Sequence, residues 1–126
     1  MKKILIVIAD YYEDISSSLL KNAKNNLNDF SLKIIRVPGV FEIPITISKN
    51  IKNYDAFIAL GCVIKGETPH FDFISSASTQ AIMNLSVDNK KPIGNGIITC
   101  LNMKQAKARS RKGKEAAKAV ISVLSQ

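Results

Sequence analysis

Four short, β-branched apolar runs, each separated from the next by a stretch with helical spacing, constrain this chain more than any other feature. They are Ile4 to Ala9, Leu32 to Val37, Ala56 to Leu60 and Ile93 to Thr99. Runs this short and this apolar read as strands buried on both faces. Between and after them, Ile15, Leu19, Ala23 and Leu27 step by four, and Ile74, Ala77, Ala81 and Leu85 step by three or four. Ala116, Ala117, Val120, Ile121 and Leu124 make a further stripe. Such stripes mark amphipathic helices, and they are core without chemistry of their own. Strands alternating with helices give a parallel sheet with right-handed crossovers, covered on each side. The expected architecture is a three-layer α/β/α sandwich on a four-stranded parallel sheet, with Asp88 to Pro92 as a turn.

At 126 residues, one domain spanning 1–126 is expected. Apolar residues make up 46% and charged residues 22%, a globular composition, and no apolar run is long enough to cross a membrane. Met1-Lys2-Lys3 and the run after it superficially resemble a signal peptide, but the run stops at Asp10 without a small-residue cleavage site. Cys62 and Cys100 are the only cysteines, so reduced thiols in a cytoplasm are expected. The net charge of +8 is concentrated in residues 104 to 118, where seven basic residues face only Glu115. Such a cluster suits a solvated helical face, nucleic acid, an acidic partner or a phosphorylated small molecule.

An open parallel sheet binds ligands beyond the carboxyl ends of its strands, which directs attention to the residues after each run. Thr68-Pro69-His70 has the character of a helix start, with Thr68 at the N-cap and Pro69 in the first turn. The free N–H groups and positive dipole end of a helix suit an anion, and Gly66 lets backbone approach it. Many helices begin this way with no ligand. His70 is the only histidine. Near a helix N-terminus the imidazolium is disfavoured, leaving a neutral ring able to pass protons, although such a histidine also serves as a plain local hydrogen-bonding group. A lone histidine without clustered carboxylates or cysteines offers no zinc site. Glu42 is expected to open a helix, either capping it or accepting from sugar hydroxyls. Tyr11 and Tyr12 suit a flat heterocycle or the core. Cys62 and Cys100 read as small buried thiols.

Two segments go further. Val37-Pro38-Gly39-Val40-Phe41-Glu42-Ile43-Pro44 and Leu60 through Asp72, which contains Gly61-Cys62-Val63-Ile64-Lys65-Gly66-Glu67-Thr68-Pro69-His70, resemble the two signature segments of lumazine synthases. The likeness extends through Pro92 to Thr99 and Gln105 to Arg109, covering essentially the whole chain. It implies a flavodoxin-like fold and a riboflavin-pathway enzyme that needs no cofactor or metal. The enzyme would condense 5-amino-6-(D-ribitylamino)uracil with 3,4-dihydroxy-2-butanone 4-phosphate to 6,7-dimethyl-8-ribityllumazine, phosphate and water. By the same resemblance His70 transfers protons and Tyr11 stacks on the pyrimidine. Val40, Phe41 and Glu42 bind ring and ribityl chain, while Cys62, Val63 and Ile64 line the pocket. Glu67 and Thr68 offer backbone groups to the phosphate, with Arg109 completing that site across a subunit boundary. The implied partners are copies of this chain, with active sites at subunit interfaces, and riboflavin synthase; neither nucleic acid nor a membrane is implied.

The chain also departs from the family pattern. Asn95 stands where a phenylalanine contributed to the neighbouring subunit's pocket is common, Tyr12 where an asparagine is expected, and Asp10 where small or basic residues are common. Ser110 to Gly113 is shorter than in many members, and the sequence begins directly at its first strand. Both features favour a homopentamer over a sixty-subunit shell. Two other readings stand beside the enzyme: a nucleic-acid or acidic-partner binding module using the basic segment, and a flavodoxin-like flavin or regulatory domain, because layer order alone is shared by many functions.

Overall fold

Apolar residues on both faces of a strand require cover on both sides, and a computed structural model describing residues 1–126 provides it. The elements run β1 (Lys3–Ala9), α1 (Glu13–Lys24), β2 (Ser31–Val37), a 3₁₀ turn (Val40–Glu42), α2 (Ile43–Lys49), β3 (Ala56–Ile64), α3 (His70–Asn89), β4 (Ile93–Cys100), α4 (Met103–Ala108) and α5 (Lys112–Leu124). The sheet is entirely parallel in the order β2-β1-β3-β4. This is the expected three-layer α/β/α arrangement on four strands. No helix is long and apolar enough to cross a membrane.

Successive side chains of a strand point to opposite faces, and β1 shows why its run lacks alternation. Ile4, Ile6 and Ile8 pack with Ile58, Leu60 and the apolar stripes of α1 and α5. Leu5, Val7 and Ala9 pack with Phe57, Ala59 and residues of α2 and α3 on the other face. Burying each Ile or Leu contributes about 1.5–3 kcal/mol, which makes the central strands the stable frame from which loops are hung. With both faces apolar, patterning alone does not fix which residues lie under a helix. Side-chain size does: a Cβ on Gly94 would strike the Ala116 carbonyl of α5, so only glycine fits beneath that helix. Gly113 plays the same part between helices, lying against the Leu19 carbonyl of α1.

Several boundaries differ from the sequence reading. The third strand does not stop at Leu60 but continues through Ile64, so Gly61, Cys62, Val63 and Ile64 belong to the strand and not to a following loop. Glycine at 61 looked like a strand end; it is there because its missing side chain leaves room for Val40 and Ala9. Cys100 is likewise the last residue of β4. The turn expected from Asp88 is shorter, since α3 runs to Asn89 and ends on Lys90 in the left-handed conformation (φ 55°). Its carboxyl end is fastened by Ser86 Oγ, which donates to the Lys91 carbonyl at 2.7 Å. The short α4, capped by Asn102 Oδ1 accepting from Gln105 N at 2.9 Å, carried no apolar stripe to announce it.

Candidate active site

β1 ends at Ala9, and its pairing with β3 ends at Ile8–Leu60. From Gly61 to Ile64, β3 pairs only with β4. The chain leaves β1 toward β2 on one side and returns to β3 on the other, so the strand order reverses here. A crevice opens beyond the carboxyl ends of strands at such a reversal. The overhanging end of β3 forms one wall. Tyr11 and Tyr12, just past β1, stand opposite, and the 3₁₀ turn and the start of α3 close the sides.

The resulting cavity measures about 760 Å³, within the range that holds a small organic ligand. Tyr11, Val40, Phe41, Glu42, Cys62, Val63, Ile64, Thr68 and His70 all line it. Tyr12, Gly39, Gly66, Phe71 and Ile74 line it as well. Phe71 was not singled out by the sequence. Ile74 was read as a core position, although the helical spacing of 70, 71 and 74 was the available signal that they share a face. Glu67 is exposed and outside this lining.

Local structure explains the placements. Glu42 opens α2, as expected, but its carboxylate makes no capping hydrogen bond; its backbone carbonyl accepts from Thr46 Oγ1 at 2.8 Å. α3 starts at His70 with Pro69 as its cap residue, one position later than a Thr68 cap, although Thr68 Oγ1 still accepts weakly from His70 N at 3.4 Å. His70 thus sits at the amino end of a 20-residue helix, on the crevice wall. Tyr11 is 75% exposed and Phe41 69% exposed, so two large apolar faces await cover. Tyr11 meets Tyr12 edge-on, with ring centroids 4.9 Å apart and planes at 78°. An edge-on contact leaves the other face of the Tyr11 ring free for stacking.

Cys62 and Cys100 are both free and buried. Burial, reinforced by the neighbouring Cys100 thiol, pushes Cys62 up to about 12 from an ordinary 9.0. Cys62 therefore lines the pocket as a neutral thiol, unsuited to act as a nucleophile at neutral pH. A rise from 9.0 to about 12 leaves about a thousandfold less thiolate at pH 8. Iodoacetamide at pH 8 is accordingly expected to label Cys62 far more slowly in the native protein than in the urea-unfolded chain, read by mass spectrometry of the peptide.

Besides Glu67, two expected site residues lie outside the crevice of this chain. Arg109 follows α4 and borders a separate cavity of about 540 Å³ with Ile98, Thr99, Ala108, Arg111, Lys112 and Glu115, its Nη1 donating to the Thr99 carbonyl at 3.0 Å. Asn95 is exposed on the edge strand β4, with Oδ1 accepting from Ile97 N at 3.1 Å. Neither lines the crevice of its own chain. Folding brings Arg109, Arg111 and Lys112 of the basic segment around one hollow.

A family model described as 6,7-dimethyl-8-ribityllumazine synthase matches residues 1–126. The chain belongs to the lumazine synthase family. Proteins named 6,7-dimethyl-8-ribityllumazine synthase resemble it at similar levels in several bacteria. The one from Nitrobacter hamburgensis is 42% identical over 136 residues, covering 97% of this chain and 83% of its own. That of Methylorubrum populi is 43% identical, covering 97% and 80%. That of Agrobacterium fabrum is 42% identical over 135 residues, covering 96% and 91%. Aligned lengths beyond the 126 residues of this lumazine synthase chain mean that the relatives carry residues that it lacks.

Proposed function

We propose that the crevice between β1 and β3 carries the condensation characteristic of the family, joining 5-amino-6-(D-ribitylamino)uracil to 3,4-dihydroxy-2-butanone 4-phosphate in riboflavin biosynthesis. The observation that carries this reading is the convergence of Tyr11, the Val40–Glu42 turn, the Cys62–Ile64 strand end and His70 on one cavity, from four separate stretches of sequence. The pyrimidine stacks on Tyr11, with Val40 and Phe41 against ring and chain and Glu42 accepting from ribityl hydroxyls. Cys62, Val63 and Ile64 wall the ring site. The backbone of Glu67 and Thr68 and the amino end of α3 favour the phosphate.

The substrate supplies its own reactive amine. An imine forms between that amine and the ketone with loss of water, phosphate is eliminated to leave an enol that tautomerises to a ketone, and the second nitrogen attacks that carbonyl and closes the ring with loss of a second water. His70 moves protons during these steps, a contribution typically worth about 10²–10⁴-fold. The rest comes from holding two substrates in register. Mixing the protein with both substrates and following lumazine absorbance and fluorescence tests the reading; a rate no faster than the uncatalysed reaction rejects it.

Arg109 and Asn95 serve the crevice of a neighbouring copy in this reading, in a homopentamer with active sites at subunit interfaces. Their positions outside their own crevice support it, as do the exposed Phe41 and Ile45 near α2 and Phe73, Met83 and Val87 along α3. Apolar surface of this kind favours association. Sedimentation equilibrium reads the pentamer directly. The Arg109→Ala variant is expected to raise KM for the butanone phosphate about tenfold or more, because a guanidinium–phosphate contact is charge-assisted, while KM for the pyrimidine stays near wild type. Unchanged kinetics for both substrates would remove Arg109 from the site. Two free thiols support a cytoplasmic location. An association with riboflavin synthase, the enzyme that would use the product, is part of the same proposal.

A further inference from the structure

Tyr12 is a crevice residue with a polar tip to which the condensation gives no role. Its ring packs against the core beneath α1 while its side chain also lines the cavity beside Cys62. Phenylalanine would serve the packing alone, so the hydroxyl calls for a separate account. No neighbouring side chain receives it: Ser16 Oγ donates to the Ala9 carbonyl, and Arg36 donates to Asp10. The hydroxyl makes no hydrogen bond within the chain yet is not fully buried, so it is free to donate to a ligand in the crevice.

The segment holding Tyr12 is fixed at each end. Asp10 N donates to the Val37 carbonyl at 3.0 Å, and the Asp10 carboxylate accepts from Arg36 at 2.9 Å, the one ion pair of the chain. On the far side Ser16 N donates to the Tyr12 carbonyl at 2.9 Å. The backbone that carries the phenol is therefore held in place before any ligand arrives, and such preorganisation favours binding. Burial, with Tyr11 and Cys62 adding to it, raises Tyr12 above its ordinary 10.0, so the hydroxyl keeps its proton and remains a donor throughout the physiological range.

We propose that Tyr12 is a binding residue of the crevice, donating its phenolic hydrogen to a carbonyl oxygen of the pyrimidinedione that stacks on Tyr11, and thereby setting the orientation of that ring. The edge-on contact at 4.9 Å couples the two tyrosines: one offers a flat face, and the other supports it and reads the rim of the same heterocycle. The inference rests on the crevice being the ring site.

The Tyr12→Phe variant keeps the ring and the packing and removes only the hydroxyl. Binding of the ribityllumazine product, followed by its fluorescence, is expected to weaken about fivefold, the effect of losing one neutral hydrogen bond. KM for the pyrimidine should rise by a similar factor, with KM for the butanone phosphate and the melting temperature unchanged. A purely structural role would move the melting temperature and leave this split absent. Tyr11→Ala is the companion variant. Weakened binding in Tyr11→Ala with unchanged binding in Tyr12→Phe overturns the role of Tyr12 while the ring site stands. Unchanged binding in both variants overturns the ring site and this inference together.

Discussion

Replacing His70 by alanine is expected to lower kcat about a hundredfold, with the pyrimidine and butanone phosphate KM values within about threefold of wild type. His70 is the only histidine and stands at the amino end of α3, on the wall of the crevice. Cys62, the other candidate for chemistry there, is held as a neutral thiol. With the Glu42 carboxylate assigned to the ribityl hydroxyls, proton transfer is assigned to the His70 imidazole, and the loss should be confined to steps that move protons. His70 is also exposed, so its removal should leave the melting temperature unchanged. Steady-state kinetics followed by lumazine fluorescence read the result. A loss of less than about threefold would assign nearly all the acceleration to positioning.

The largest stability effect is expected far from the crevice, at Gly113. A Cβ placed there would run into the backbone carbonyl of Leu19, and backbone cannot rotate away as a side chain can. α1 and α5 would have to separate over the stripe formed by Leu19, Ala23, Ala116, Ala117 and Val120. Gly113→Ala should therefore cost about 3 kcal/mol, at the upper end of overpacking, even though alanine favours helix over glycine by about 1 kcal/mol. For a chain of this size the melting temperature should fall by on the order of 10 °C. Gly66→Ala is the control: its Cβ would meet nothing within 4 Å, so stability should hold. A Gly113→Ala protein melting at the wild-type temperature would show that the two helices yield readily.

These two positions also separate what a linear reading reaches from what it does not. His70 was identifiable because a unique residue type followed a threonine and a proline in a helix-start pattern. The significance of Gly113 was not, because nothing local distinguishes a glycine at a helix crossing from one in a turn. The third strand was cut short at Leu60 for a related reason: Gly61 looked like punctuation, yet its role is to admit Val40 from a 3₁₀ turn some twenty residues earlier in the chain. That misreading mattered for the site, since Cys62, Val63 and Ile64 form its wall as strand residues and not as loop.

Hydrophobic spacing, by itself, determined the layers, the parallel sheet and the end of that sheet where a ligand would sit, because burial on two faces leaves few arrangements for such runs. The resemblance carried by two short segments determined the family. Tertiary structure decided how far β3 projects past β1, which of the marked residues share one cavity, and that Arg109 and Asn95 lie outside it. It also decided the state of Cys62 and the setting of Tyr12. Each of these depends on distances between residues remote in sequence, and periodicity within a single element carries no information about them.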